Sequence, residues 1–283
     1  MVRKVTIGLV QMAMTNNPDS NLSKAIKMIE NAAKKGAQII CLPELFRSPY
    51  FPQEKRIATE YAEEINGQTA NALSAAAKDN NVVIIGGSIF EKAGKRFYNT
   101  SMVFDADGRM LGLYRKVHLP QDECFYEKTH FSPGDLGFKV FETRYGKVGT
   151  LICYDQWYPE AARINVLMGA EMIFYPTAIG VVKGIEQKEG NWHEAWETVM
   201  RGHAIANGVI VAAANRVGTE SNITFWGKSF VCDAFGRILA RADDKERIVI
   251  ATCDLDHGKE VREGWGFFYN RRPETYKMLV EKR

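Results

Sequence analysis

The feature that most narrows the fold is a repeated alternation between short apolar runs and longer segments of helical spacing. Val5 to Met12 is apolar and β-rich, and after the turn Thr15-Asn16-Asn17-Pro18 apolar residues recur at Leu22, Ala25, Ile26, Ile29 and Ala32, one face of a helix. Gly36 ends that helix, Ala37 to Leu42 reads as a buried strand, Leu73 to Asp79 as part of a helix and Val82 to Ile89 as a strand. The rhythm returns farther along. Lys147 to Cys153 is a strand, Pro159 opens a helix reaching about Gly169, and Glu171 to Tyr175 is the next strand. A helix over Trp192 to Asn207, a strand over Val209 to Ala214 and a last strand over Val249 to Cys253 follow.

Two hairpins interrupt this alternation: Asn99 to Asp105 with Arg109 to Arg115, and Ser229 to Cys232 with Ile238 to Ala240. Their turns, Asp-Ala-Asp-Gly-Arg and Asp-Ala-Phe-Gly-Arg, are alike and give the chain a pseudo-symmetric plan. Hairpins inside a βαβ chain predict mixed sheets, and no low-complexity linker divides the sequence. The expected fold is α/β: a single domain over 1–283, with two mixed sheets face to face and helices outside, an α-β-β-α sandwich. The segment 255–283 is aromatic and basic (Glu263-Gly264-Trp265-Gly266-Phe267-Phe268, then Arg271-Arg272-Pro273), and it is expected to pack at the interface of a homodimer or larger homo-oligomer.

Charge and cysteine content restrict the partners. Lys plus Arg number 37 against 34 Asp plus Glu, and a net charge of +3 does not suit a nucleic-acid partner. Five scattered cysteines without close pairs fit a reducing compartment, so a cytoplasmic location is expected. No apolar stretch is long enough to span a bilayer, and Met1-Val2-Arg3-Lys4 leads straight into a strand without a signal-type run. Small-molecule or protein partners are the expectation that remains.

Four residues carry the candidate chemistry. The apolar strand Val148-Gly149-Thr150-Leu151-Ile152 delivers Cys153 to a sharp turn, with a helix starting six residues later: a nucleophile-elbow layout in which helix-terminal N–H groups would favour the thiolate and the Tyr154 N–H would face an oxyanion. An inert core cysteine is the commoner fate of such a residue. Glu44, after Cys41-Leu42-Pro43, emerges at the same carboxyl-end edge and suits a general base, or equally a helix-capping or salt-bridged acid. Lys116 leaves the first hairpin where a fixed cation can hold a tetrahedral oxyanion, although most strand-end lysines are simply solvated. Glu127, in the long loop that follows, is placed to orient Lys116 and a substrate nitrogen, or is a surface acid beside Lys128.

Pro43-Glu44-Leu45-Phe46, Tyr114-Arg115-Lys116-Val117-His118-Leu119-Pro120, Phe131-Ser132-Pro133-Gly134-Asp135 and Ile152-Cys153-Tyr154-Asp155 resemble, in order and spacing, the successive signatures of the nitrilase superfamily of carbon-nitrogen hydrolases. The likeness covers nearly the whole chain. It implies a Glu-Lys-Cys triad on Glu44, Lys116 and Cys153, a supporting glutamate at Glu127, no cofactor and no metal, and a linear amide or carbamoyl substrate. By the same analogy Tyr50, Tyr154, Thr177 and Ala178 line the pocket. No arginine stands between Cys153 and Pro159 to pair with a substrate carboxylate, and Asp155-Gln156-Trp157 with Tyr175-Pro176-Thr177-Ala178-Ile179-Gly180 is similar to the branch that hydrolyses N-carbamoylputrescine. Tyr154, where that branch usually carries tryptophan, and the loop Gln121-Asp122-Glu123-Cys124 depart from it, although Asp122 and Glu123 suit an amine-bearing ligand.

Other readings stay in view. N-carbamoyl-β-alanine, ω-amide and aliphatic amide hydrolysis belong to the same superfamily, and a non-catalytic interaction module would share the fold. A zinc enzyme would have to draw on His118, His130, His193 and His203, but there is neither His-Glu-x-x-His nor Cys-x-x-Cys.

Overall fold

The computed structural model describes residues 2–281; the two ends of the expected 1–283 domain lie outside the described residues. The first half runs β1 (Lys4–Gln11), α1 (Pro18–Lys34), β2 (Ile39–Cys41), α2 (Gln68–Asn80), β3 (Val83–Ile85), β4 (Ile89–Ala93), β5 (Arg96–Phe104) and β6 (Met110–Arg115). A short helix α3 (Glu127–His130) precedes β7 (Val140–Thr143), β8 (Gly146–Thr150), α4 (Pro159–Leu167), β9 (Met172–Thr177), β10 (Gly180–Val182) and α5 (Trp192–Asn207). Then come β11 (Ile210–Asn215), β12 (Val217–Glu220), β13 (Ile223–Trp226), β14 (Phe230–Cys232), β15 (Ile238–Arg241), β16 (Arg247–Asp254) and α6 (Leu255–Trp265).

One sheet has the order β16-β1-β2-β3-β5-β4, with β6 paired to β5; the other has the order β15-β14-β11-β9-β8-β7. Both are mixed: β1, β2 and β3 are parallel, as are β8, β9 and β11, and antiparallel strands flank each set. A small ribbon, β10-β13-β12, stands apart.

Side-chain alternation explains the layers. In the first sheet Ile39 and Cys41 point to the same cluster as Phe174, Ala212 and Ala214 of the second, whereas Ile40 and Leu42 join Leu22, Ile29 and Leu73 of α1 and α2. In the second sheet Met172 and Phe174 point inward while Ile173 and Tyr175 meet Trp196, Met200 and Ala204 of α5. Every central strand is therefore apolar on both faces, the condition for helices outside two packed sheets. This is the α-β-β-α sandwich expected from the sequence. The expected strand over Val82–Ile89 is interrupted: it stops at Ile85, a break at Gly86-Gly87-Ser88 follows, and β4 starts at Ile89.

That break has a purpose. Gly87 has a φ of +56°, and a Cβ there would fall 2.2 Å from the carbonyl oxygen of Pro43, so only glycine lets the loop carrying Glu44 settle against the sheet. Gly149 does the same for α4, since its Cβ would meet Asn165 Oδ1 at 2.4 Å.

Candidate active site

Glu44, Lys116 and Cys153 come from three separate elements and meet at one edge of the sandwich. Glu44 follows β2, and its main-chain N–H reaches across to Thr177 of β9 in the other sheet (3.4 Å). Lys116 is the first residue beyond β6, and Cys153 begins a turn of 3-10 helix three residues beyond β8. Cys153 has a φ of 44°, a left-handed backbone uncommon outside glycine, as a strained elbow requires.

Asp155 ties the elbow to the lysine strand. Its fully buried carboxylate accepts from the Ile152 N–H (2.9 Å) and the Tyr114 hydroxyl (2.7 Å) on Oδ2; Oδ1 accepts from the His118 N–H (3.0 Å) and lies 2.7 Å from His118 Nδ1. Tyr114 and His118 flank Lys116 at two residues on either side, so one carboxylate fixes both the nucleophile turn and the position of the cation.

The Lys116 ammonium is fully buried. It donates to Glu44 Oε1 (2.7 Å) and to both oxygens of Glu127 (2.7 and 2.6 Å). Asn99 Nδ2 adds a second bond to Glu44 Oε1 (2.7 Å), while Glu44 Oε2 has no partner among the described residues. Burial alone would depress the Lys116 pKa, but Glu127 and Glu44 outweigh it and hold the ammonium above the ordinary lysine value. Glu127 is pushed up to about 7 by burial, against the pull of Lys116 and with a further push from Glu44.

Cys153 is 6% exposed, and its thiol donates to the Ala178 carbonyl at 3.8 Å. Burial raises its pKa well above the usual thiol range; Glu44 adds to the rise and Lys116 opposes it. The expectation that helix-terminal N–H groups would favour a thiolate is therefore corrected: α4 starts at Pro159 as expected, but desolvation dominates at the elbow.

The thiol opens onto a cavity of about 640 Å³. Its buried floor includes Cys153, Glu127, Gln156 and Ala178; Tyr154 and Trp157 are half-buried on its wall. At the exposed rim stand Asp122, Glu123 and Glu189, and among the described residues that line the cavity there is no lysine or arginine. Two expected pocket residues are corrected. Tyr50 and Thr177 are fully buried behind the lining: the Tyr50 hydroxyl donates to Glu127 Oε1 (2.7 Å), and the Thr177 hydroxyl donates to the Tyr175 carbonyl (3.0 Å).

Against this geometry, the family model described as carbon-nitrogen hydrolase matches residues 6–263. The chain belongs to the carbon-nitrogen hydrolase family. It is 43% identical to an N-carbamoylputrescine amidase of Arabidopsis thaliana over 98% of this chain and 96% of that protein. It is 40% identical to a citrullinase of Francisella tularensis, with 98% and 99% covered. A carbon-nitrogen hydrolase of Helicobacter pylori superposes with a TM-score of 0.94 at 41% identity, covering 99% of each chain. The protein is thus a carbon-nitrogen hydrolase of the nitrilase superfamily.

Several residues of this hydrolase's site escape a reading of its sequence. Asn99, which fixes Glu44, is an ordinary strand residue by pattern. Glu189 and Trp192, joined by a 3.1 Å bond from the indole N–H, lie far from any of the four motifs. Gln156 is legible only in part: its amide oxygen accepts from the Trp196 indole N–H (2.9 Å), which fixes the turn on α5. The four histidines considered for zinc are dispersed. His130 Nε2 lies 2.7 Å from the Glu54 carbonyl, His203 Nε2 lies 2.8 Å from that of Gln156, His193 stands against Trp196 and Trp226, and no group of three or more His, Cys, Asp or Glu residues suited to a metal is found among the described residues.

Proposed function

We propose that Cys153 is the nucleophile, Glu44 the general base and Lys116 the oxyanion-holding cation of an amidohydrolase whose substrate is N-carbamoylputrescine. The observation that carries the reading is the buried ammonium of Lys116 bonded to Glu44 and Glu127, with one oxygen of Glu44 without a partner among the described residues, near a thiol that opens onto the cavity. Because burial keeps that thiol protonated, the proton has to leave as the bond to carbon forms.

Glu44 Oε2 takes the proton of Cys153, and sulfur attacks the carbamoyl carbon. The carbonyl oxygen becomes an oxyanion held by Lys116 and the Tyr154 N–H, where a preorganised donor in a dry site is worth about 3–4 kcal/mol. Glu44 returns the proton to the departing nitrogen, and ammonia leaves. It then takes a proton from water, which attacks the thioester-type carbon and releases the thiol. The carbamic acid so formed breaks down to carbon dioxide and the free amine. Glu127, bonded through both oxygens, orients Lys116 throughout.

The rim supports the substrate. Asp122, Glu123 and Glu189 offer three carboxylates to a distal ammonium, and no lysine or arginine among the described residues lining the cavity offers itself to a distal carboxylate. The 43% identical N-carbamoylputrescine amidase agrees with that chemistry. Citrulline has the same ureido group and chain but adds a carboxylate, which would meet the acidic rim.

Ammonia release from N-carbamoylputrescine, citrulline, N-carbamoyl-β-alanine, glutaramate and propionamide tests this directly. The first should be turned over fastest, and a preference for an anionic substrate would reject the reading of the rim. The proposal extends to a homodimer or larger homo-oligomer, supported by the exposed Trp265, Tyr269, Leu279 and Val280 of the tail, with sedimentation velocity as the check. It also extends to a cytoplasmic location, which five free buried thiols support.

A further inference from the structure

Outside the Glu44-Lys116-Cys153 set, one further lysine or arginine among the described residues is buried at no exposure, Arg216, the residue between β11 and β12. A guanidinium taken out of water needs partners for its donors, and those of Arg216 are specific. Nη1 donates to the carbonyl oxygens of Glu44 (3.3 Å) and Leu45 (3.2 Å), and Nη2 to that of Ser48 (2.8 Å). Nη2 also meets both oxygens of Glu220 (2.7 and 2.9 Å), and Nε donates to Glu220 Oε1 (3.0 Å). Three of these acceptors are main-chain carbonyls of the loop that carries Glu44.

Glu220 grips the other end of the same loop, since its Oε2 accepts the Tyr50 N–H at 2.7 Å. Between the two grips the backbone is strained: Leu45 has a φ of 46°, and its N–H is held by Ser88 Oγ at 2.9 Å. Tyr50 then passes the constraint on, because its hydroxyl donates to Glu127. The ion pair therefore reaches both carboxylates that hold Lys116, Glu44 through its own carbonyl and Glu127 through Tyr50.

We infer that the Arg216-Glu220 pair is a positioning clamp for this hydrolase, holding the 44–50 loop in the geometry that presents Glu44 to Cys153. The inference rests on the role proposed for Glu44. A planar fork with five donors can serve three carbonyls and a carboxylate at once; a lysine at the same place is a point charge and cannot. A pair kept only to fill space would have no need to end on the backbone of the base.

The test is Glu220→Gln, which keeps the shape, and Arg216→Lys, which keeps the charge, each made in the wild-type protein and in Glu44→Gln. In the wild-type background each should lower kcat for N-carbamoylputrescine by about ten- to a hundredfold, the cost of a misplaced group, with KM changed less than about threefold. In the Glu44→Gln background the same changes should cost less than about twofold, because a residue acting through Glu44 has nothing left to position. Alkylation of Cys153 by iodoacetamide, followed by intact mass below the melting temperature, should show the same pattern without needing turnover. Equal losses in both backgrounds, or a fall in melting temperature with kcat and alkylation unchanged, would overturn the clamp. Full turnover by Glu44→Gln alone would instead remove the role of the base, and the clamp with it.

Discussion

The floor and the rim of the cavity are built on opposite principles. The groups at and directly behind the floor are buried, and each is bonded to another charged or hydrogen-bonding side chain: Lys116 to two carboxylates, Glu44 to Lys116 and Asn99, Glu127 to Lys116 and Tyr50. The rim groups, Asp122, Glu123 and Glu189, are exposed on loops, with Tyr126 and Trp192 as neutral hydrogen-bond partners of the last two. Bond cleavage needs a fixed constellation in a dry site, which the sheets supply, whereas the choice of substrate needs only a field and a shape, which loops can change without cost to the chemistry. The difference separates what this hydrolase does from what it does it to.

The comparison breaks most sharply at Cys153. Cys153→Ala should lower kcat by roughly 10⁴-fold or more while the melting curve stays close to wild type, since the loss is of a nucleophile and a small side chain. Mass spectrometry during turnover should detect a covalent adduct in the wild type alone. Activity retained by the variant would mean that the floor does not act as described.

Lys116→Met should do what Cys153→Ala does not. It leaves Glu44 and Glu127 facing each other without a cation, and stability should fall by about 3–5 kcal/mol, read from urea unfolding. Only a small loss would show that water or a proton replaces the ammonium readily.

A third outcome is linked to pH. Glu127 titrates near 7 in the folded protein, above its unfolded value, so the folded state binds the extra proton and wild-type stability declines as pH rises from about 4.5 to 7. Glu127→Gln cannot lose that proton. The melting temperature of the variant minus that of the wild type should therefore increase from pH 5 to pH 8, and a flat difference would place the raised pKa elsewhere.

The smallest effect belongs to the rim. Glu189→Gln should raise KM for N-carbamoylputrescine by up to about fivefold, the worth of an exposed charge, and the effect should shrink as salt is added. Neither kcat nor the turnover of uncharged propionamide should change. A kcat effect as large as that of a floor variant would erase the distinction between the two regions.

What the sequence made legible follows the same divide. The central strands announce themselves by continuous apolar runs, and Glu44 and Cys153 lie close beyond two of them, so pattern points both to the carboxyl-end edge; Lys116 leaves a hairpin strand, and its place beside them is what the family resemblance implies. By analogy Tyr50 reads as a cavity-wall residue, but sequence distance from Glu44 says nothing about which side of Glu127 a side chain takes. Thr177 differs from its expected place for a related reason, being a strand-end residue whose hydroxyl turns back to its own backbone. Glu189 and Arg216 carry no local signature at all. Their roles depend on loops and on contacts between the two sheets, which neither periodicity nor propensity encodes. Asp155 belongs to the Ile152-Cys153-Tyr154-Asp155 motif, but its work, bonding Tyr114 and His118 on either side of Lys116, is visible only in three dimensions.

The split origin of the reactive groups has a consequence for the life of the molecule. Glu44 and Lys116 descend from one sheet and Cys153 from the other, and the Thr177 carbonyl that anchors the Glu44 backbone also belongs to the second. A chain emerging from synthesis, or one whose halves have parted under heat, carries only an unremarkable mercaptan and two scattered ions. On the roles proposed for these three groups, turnover requires the two sheets to be packed together, and loss of turnover should precede loss of helical signal as the protein is warmed.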